Sequence, residues 1–394
     1  MKHGTAQILF ALLRSVLNGT KADVENSQIV PETFSELLSI SRKHDIEHLV
    51  VYGLQQNGLL SEEYSQITNK IFEAAYRCEQ ICFEFERLCT VLEEANIPFI
   101  PLKGAVMRKY YPETWMRTSC DIDILVQECD SEKAVSALID SCNYAYHKKG
   151  SHDIALITPG KIRVELHYNL IESNVSEAAS AVLSRVWKSA VRCEGFRCQS
   201  EMSDEMFYFY HIAHMAKHFE NGGCGIKPFV DLWFLKSTNS ETVEKREELL
   251  RQGNLFRFAQ AAQKLSRVWF DDEEQDNLSL MMESYVLNGG VYGSLTNKVA
   301  VQQQKKGGKF RYLWSKIFIP YDEIKFFYPI LQKYRFLTPF MEVYRWLKLI
   351  FGGRIKSVSK EIKVNQSISD ETTEYTHSFL LSLGLMNDDL HIPK

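Results

Sequence analysis

Asp121 and Asp123 stand one residue apart in the run Asp121-Ile122-Asp123-Ile124-Leu125-Val126. β-Branched and aliphatic residues alternate with the acids at a period of two, which predicts a strand. Side chains of a strand alternate faces, so the two carboxylates project on the same side. Such neighbours repel unless a cation lies between them, and hard oxygens at that spacing suit Mg²⁺. A solvated edge strand with two surface acids fits the same run. A second alternating run is Ile162-Arg163-Val164-Glu165-Leu166-His167-Tyr168, with Ile162, Val164 and Leu166 on one face and Arg163, Glu165 and His167 on the other. If the two strands are neighbours, Glu165 joins Asp121 and Asp123 as a third carboxylate.

The elements that must hold these acids are readable around them. Upstream, Ile97 to Leu102 reads as a short buried strand, followed by Lys103-Gly104-Ala105 and a helical stretch that stops at Tyr111-Pro112. A glycine at a strand-to-helix junction lets a phosphate approach backbone N–H groups where the helix dipole also favours negative charge. Most such glycines are simply turns. Downstream, Ile154 to Ile157 reads as a strand that enters a Pro159-Gly160 hairpin turn. Helices are expected at 7–17, 33–43, 46–55 and 61–95, and another at 132–142, after the aspartate strand. Strands are expected near Phe99, Ile122, Tyr144, Ala155 and Val164. The chain thus divides into an N-terminal helical region (1–94), an α/β core (95–196), a second helical region (197–364) and a polar tail (365–394). The fold class is α+β, with a mixed sheet flanked by helices.

Leu102-Lys103-Gly104, Tyr111-Pro112, Arg117, Asp121-Ile122-Asp123-Ile124-Leu125-Val126 and Val164-Glu165-Leu166-His167 together resemble a poorly characterised bacterial nucleotidyltransferase family. That family belongs to the superfamily related to DNA polymerase β, and the likeness covers roughly residues 95 to 235. It implies a minimal nucleotidyltransferase α/β domain and transfer of a nucleoside monophosphate from a nucleoside triphosphate, ATP among the candidates, by a two-metal mechanism. Asp121, Asp123 and Glu165 would be the catalytic acids and hold two Mg²⁺ ions. Lys103, Gly104, Ala105 and Arg117 would receive the phosphates, Arg117 because a guanidinium grips phosphate oxygens bidentately. Lys103 as a plain strand-end lysine and Arg117 as a solvated loop residue stay open. Gly104-Ala105 departs from the usual Gly-Ser or Gly-Gly and lacks one hydroxyl. The acceptor, whether sugar, small molecule, RNA or protein, is not legible. A catalytically inactive nucleotide- or RNA-binding module on the same fold is the alternative.

His211, His214 and His218 fall at i, i+3 and i+7 of a helix expected after Ser203. They can bind a transition metal or pack among neighbours. The resemblance adds a third reading, in which His214, His218 and Asp231 of the next helix line the cleft. Asp231 paired with a histidine is equally open. Charge is spread unevenly. The formal net charge is −4, yet residues 298–363 carry fifteen Lys or Arg against four Asp or Glu, interleaved with aromatics. That region reads either as a solvated helical face over an aromatic core, or as a surface for an anionic partner, nucleic acid or membrane. A membrane-surface or scaffold role is therefore a second alternative. An apolar fraction of 45 % supports a globular core. No apolar run is long enough to cross a membrane. Nine cysteines, without any Cys-x-x-Cys, predict free thiols in a reducing cytoplasm.

Overall fold

The computed structural model describes residues 3–170, 176–352 and 355–386. The chain forms two compact units: residues 1–217 with 225–291, and residues 218–224 with 292–394. In the first unit, helices α1 (His3–Asn18), α2 (Pro31–Lys43), α3 (Glu47–Gln56) and the long α4 (Asn69–Glu94) lead into strand β1 (Phe99–Pro101). Then come α5 (Lys103–Met107), β2 (Asp121–Val126), α6 (Ser131–Cys142), β3 (Ala145–Lys149), β4 (Asp153–Ile157) and β5 (Arg163–His167). Short helices α7 (Glu177–Leu183) and α8 (Val186–Ser189) follow, and the pair β6 (Val191–Arg192) and β7 (Ser200–Glu201) makes a small ribbon. Helices α9 (Asp204–Phe219), α10 (Lys227–Phe234), α11 (Ser240–Gln252), α12 (Phe256–Phe270) and α13 (Asn277–Leu287) come next, the end of α9 belonging to the second unit.

The five strands form a mixed sheet in the order β1-β2-β5-β4-β3. β2 and β5 run parallel, while the other pairs are antiparallel. Alternation gives this sheet one dry face. Ile122, Ile124 and Val126 of β2, Val164 and Leu166 of β5, and Ile154 and Leu156 of β4 bury against Ile81, Leu88 and Leu92 of α4 and Ala134 and Leu138 of α6. The other face carries the acids. Helix α4 has no glycine or proline in 26 residues, which suits it to span the sheet. In the helical part, Phe10 of α1 stacks on Trp269 of α12 at 4.3 Å, and the Trp269 indole donates to Glu283 at 2.7 Å. Residues 1–94, 95–196 and the part of the second helical region up to 291, apart from 218–224, thus share one unit.

The second unit contains α14 (Leu295–Lys306), α15 (Lys309–Ile317), α16 (Tyr321–Phe327), α17 (Ile330–Lys333), α18 (Thr338–Phe351), α19 (Ile355–Ser367) and α20 (Asp370–Ser382). Its core is small: Val299 and Ala300 of α14, Tyr312 of α15 and Ile368. Residues 365–386, expected as a polar tail, hold the end of α19 and the whole of α20. Phe379 and Leu380 are buried, and Gln303 bonds Asn365 at 2.8 Å and Thr373 at 3.0 Å. Residues 387–394 lie outside the described residues.

Candidate active site

The register of β2 on β5 builds the site. In the parallel pairing Asp121 lies opposite Arg163, Asp123 opposite Glu165 and Leu125 opposite His167. Asp121, Asp123, Glu165 and His167 therefore share one face, as the alternation of each run predicts. His167 Nε2 lies 2.8 Å from Asp123 Oδ1 and 3.6 Å from Glu165 Oε2. Arg163 Nε lies 2.7 Å from Glu165 Oε1. Among the described residues, Asp123, Glu165 and His167 form a group with one ligand atom each, all within 4.8 Å of one another. His167 is not among the site residues expected from the sequence; its place two residues beyond Glu165 on the same strand face is the signal that points to it.

Lys103, the first residue of α5, enters the cluster from the junction with β1. Its Nζ is 3.0 Å from Asp123 Oδ1, so a cationic nitrogen already sits against the carboxylates. Its backbone holds φ +42°, a left-handed conformation unfavourable for a residue with a Cβ by about 1–2 kcal/mol. Such strain persists only where surrounding contacts over-determine it. The Leu102 N–H donates to Asp123 O at 3.0 Å and ties this junction to β2. Burial alone would lower the Lys103 pKa, but Asp123, Tyr210 and Asp121 together outweigh it and the net shift is upward. Burial alone would raise Asp123, but Lys103 and His167 hold it well below the ordinary carboxylate range. Asp121 moves the other way: burial and then the Asp123 charge raise it, opposed by Lys103. Two carboxylates one residue apart are thus held unequally, the buried one firmly ionised and its neighbour reluctant.

Gly104 packs tightly, since a Cβ there would come within 3.3 Å of Ser119 Cβ. The Ser119 hydroxyl donates to Asp121 O at 3.1 Å and accepts from Arg108 Nη2. Ala105 differs from expectation: its N–H, assigned to phosphate, donates to Leu102 O at 3.2 Å in the tight turn that starts α5.

Arg117 also differs. Its Nε and Nη2 reach Asp231 Oδ1 and Oδ2, each at 2.7 Å, and Tyr111 Oη donates to the same carboxylate at 2.7 Å. The guanidinium expected to grip phosphate is engaged by a buried acid 114 residues away. Burial would raise Asp231, but Arg117 more than offsets it and lowers its pKa. His211 Nε2 donates to Pro228 O at 2.9 Å, and burial lowers its pKa. The His214 ring lies 6.3 Å from that of Tyr210, and His218 falls in the second unit. Among the described residues the three histidines do not form a ligand group. Asp231 is thus partnered by an arginine and a tyrosine.

A cavity of about 370 Å³ lies elsewhere in the first unit, against Tyr208, Trp233 and Phe256. Its cations are already paired, Arg246 with Asp204, Lys236 with Asp271 and Arg267 with Glu273. The chemistry-bearing groups are on the sheet face.

The profile of an uncharacterised nucleotidyltransferase family matches residues 31–271. The chain belongs to that family. The match takes in α2 through α12, so the family extends beyond the sheet into helices on both sides. Among curated proteins nothing matches the chain. Membership makes it a transferase of the nucleotidyl type with a nucleotide substrate, and the Asp123–Glu165–His167 group is compatible with a metal ion.

Proposed function

We propose that this nucleotidyltransferase moves a nucleoside monophosphate from a nucleoside triphosphate to a hydroxyl or phosphate acceptor, with Mg²⁺ as cofactor. The observation that carries the reading is the cluster of Asp121, Asp123, Glu165 and His167 on two parallel strands, with Lys103 against it. The donor set fits a hard divalent cation: carboxylate oxygens predominate, and a lysine ammonium already neutralises part of their charge. Asp121, Asp123 and Glu165 would hold two ions, with His167 beside them. When bound, such ions neutralise charge on the attacking and leaving oxygens.

The chain's own residues do the remainder. An acceptor oxygen forms a bond to the α-phosphorus as the bond to the pyrophosphate oxygen breaks, and pyrophosphate leaves with the electron pair. Glu165 takes the acceptor's proton. Lys103 leaves Asp123 for the triphosphate, and the Gly104 backbone lets phosphate oxygens come close. Arg117 acts as a strut that fixes the entry to β2 through Asp231. Positioning and charge neutralisation, more than covalent chemistry, supply the rate in such transfers.

Thermal stability with each nucleoside triphosphate, with Mg²⁺ and with EDTA, tests this on the wild type and on the Asp121→Asn/Asp123→Asn variant. A ligand at about 100 times its Kd adds ~2.7 kcal/mol of stability. A Mg²⁺-dependent rise in melting temperature with one nucleotide, absent in the variant, is expected. No rise with any nucleotide would sink the site assignment. Label moving to acceptors from the γ-phosphate instead of the α-phosphate would replace nucleotidyl with phosphoryl transfer.

A further inference from the structure

Helix α18 turns Glu342 and Arg345 inward. Glu342, only 7 % exposed, accepts from Ile319 N at 2.7 Å and from Arg345 Nε at 2.8 Å. Arg345 Nη2 and Trp346 Nε1 both donate to Ile317 O, at 2.7 and 3.0 Å, which docks this side of α18 on the end of α15. The opposite side is an apolar stripe. Phe340, Val343, Tyr344, Leu347, Ile350 and Phe351 recur at helical spacing and are between 47 % and 85 % exposed. α15 repeats the pattern: Tyr312 points into the core, while Phe310, Trp314 and Phe318 stack outward at 6.1 and 4.7 Å. Phe310, Trp314 and Phe318 therefore lie outside the aromatic core that the sequence allowed for, and Tyr312 lies within it. Contiguous exposed apolar surface of this kind marks an interaction face.

Three observations select the occupant. Residues 298–363 carry fifteen basic against four acidic residues in a chain of net charge −4, so the partner is anionic. Val343, Leu347 and Ile350 offer nothing for bases to stack on, whereas an acyl boundary accepts them and the aromatics beside them alike. No helix among the described residues is long and apolar enough to cross a membrane, so an apolar helix face here lies along a surface. An outward stripe of Phe, Trp, Leu and Ile flanked by lysines is the composition of an interfacial helix on anionic lipid. We propose that the exposed face of α15 and α18 seats this unit on an anionic bilayer surface. The proposal is independent of the nucleotidyl-transfer reading.

The test is flotation of the full chain with vesicles of phosphatidylcholine alone or mixed with phosphatidylserine. Binding to the mixed vesicles only, weakened by salt, is expected. Leu347→Glu with Phe340→Glu should raise the lipid concentration for half-binding at least tenfold. Lys333→Glu with Lys348→Glu should raise it about fivefold for each lysine replaced. Circular dichroism and the nucleotide-dependent melting shift should stay as in wild type. If the glutamate pair unfolds, Leu347→Ala, which trims a side chain 47 % exposed and adds no charge, gives the same reading at smaller size. Three outcomes overturn the proposal. One is binding to neither vesicle, or equally to both. Another is a concentration-dependent dimer, lost in the Leu347 variants, without vesicle binding. The third is retention on single-stranded polyuridylate in place of vesicles.

Discussion

At Asp123 an ammonium and an imidazole meet a carboxylate in a space that would otherwise reject its charge. A carboxylate only 4 % exposed stays ionised because Lys103 and His167 both reach Oδ1, at 3.0 and 2.8 Å. The ammonium and a divalent cation compete for the same oxygen, so nucleotide phosphates that draw Lys103 away would favour cation entry. His167 adds an imidazole to an oxygen set, and imidazole suits transition metals better than it suits Mg²⁺. Mn²⁺ is therefore expected to support nucleotide binding at lower concentration than Mg²⁺. Replacing His167 with Gln should narrow that gap. Titration of the nucleotide-dependent melting shift with each ion checks this, and an unchanged Mn²⁺ preference would remove His167 from the ligand set.

Elements are joined by buried polar pairs whose removal is expensive on one side only. Arg117 and Asp231 fix the loop before β2 to α10, at 12 % and 2 % exposure. Arg117→Ala leaves a buried carboxylate without its cation and is expected to cost about 3–5 kcal/mol in denaturant unfolding, whereas Arg117→Met with Asp231→Leu should cost only about 1–3 kcal/mol, from the Tyr111 hydroxyl left without its acceptor. If that double variant still binds nucleotide, Arg117 is a strut; lost binding in a folded double variant would return it to the phosphates. His44 at the end of α2 and His48 in α3 are both lowered to about 4, chiefly by burial. Each is neutral in the fold, and the unfolded chain takes up its proton near pH 6.5. The unfolded state thus binds more protons between pH 6.5 and 4, and stability falls as pH drops through that window by up to about 1.4 kcal/mol per unit for each histidine. His48→Gln, which keeps a donor for Met116 O, should remove one of the two contributions to the slope of stability against pH.

Among the described residues, the core under the sheet and the small cluster around Val299 and Tyr312 in the second unit are of unequal size. All of the candidate acids and Lys103 belong to the first unit. Calorimetry should therefore resolve two transitions, of which nucleotide with Mg²⁺ raises one and leaves the other. A single transition that moves as a whole would mean that the units unfold together. The surface is divided as well, since the excess of lysine and arginine in 298–363 is set against an otherwise acidic chain.

The sequence by itself determined β2 and β5, because period-two alternation is a local property and separates Asp121, Asp123, Glu165 and His167 from the apolar set without reference to any partner. It also determined the strand-to-helix junction at Lys103-Gly104 and the long α4 from Asn69 onward, while the first residues of the helix expected at 61–95 form a separate 3-10 helix, Glu62–Thr68. Only the tertiary structure decided that β5 lies parallel beside β2, since pairing depends on which dry faces α4 and α6 cover together. The same holds for Arg117, whose partner is 114 residues away and leaves no local trace. Residues 365–382 read as polar because their apolar residues are sparse, yet Ile368, Phe379 and Leu380 suffice once α14 gives them a surface to bury against. The apolar pattern of α18 was equally visible in one dimension. Its direction was not, because a period of 3.6 says that one face is apolar and leaves open whether that face turns toward the core or toward solvent.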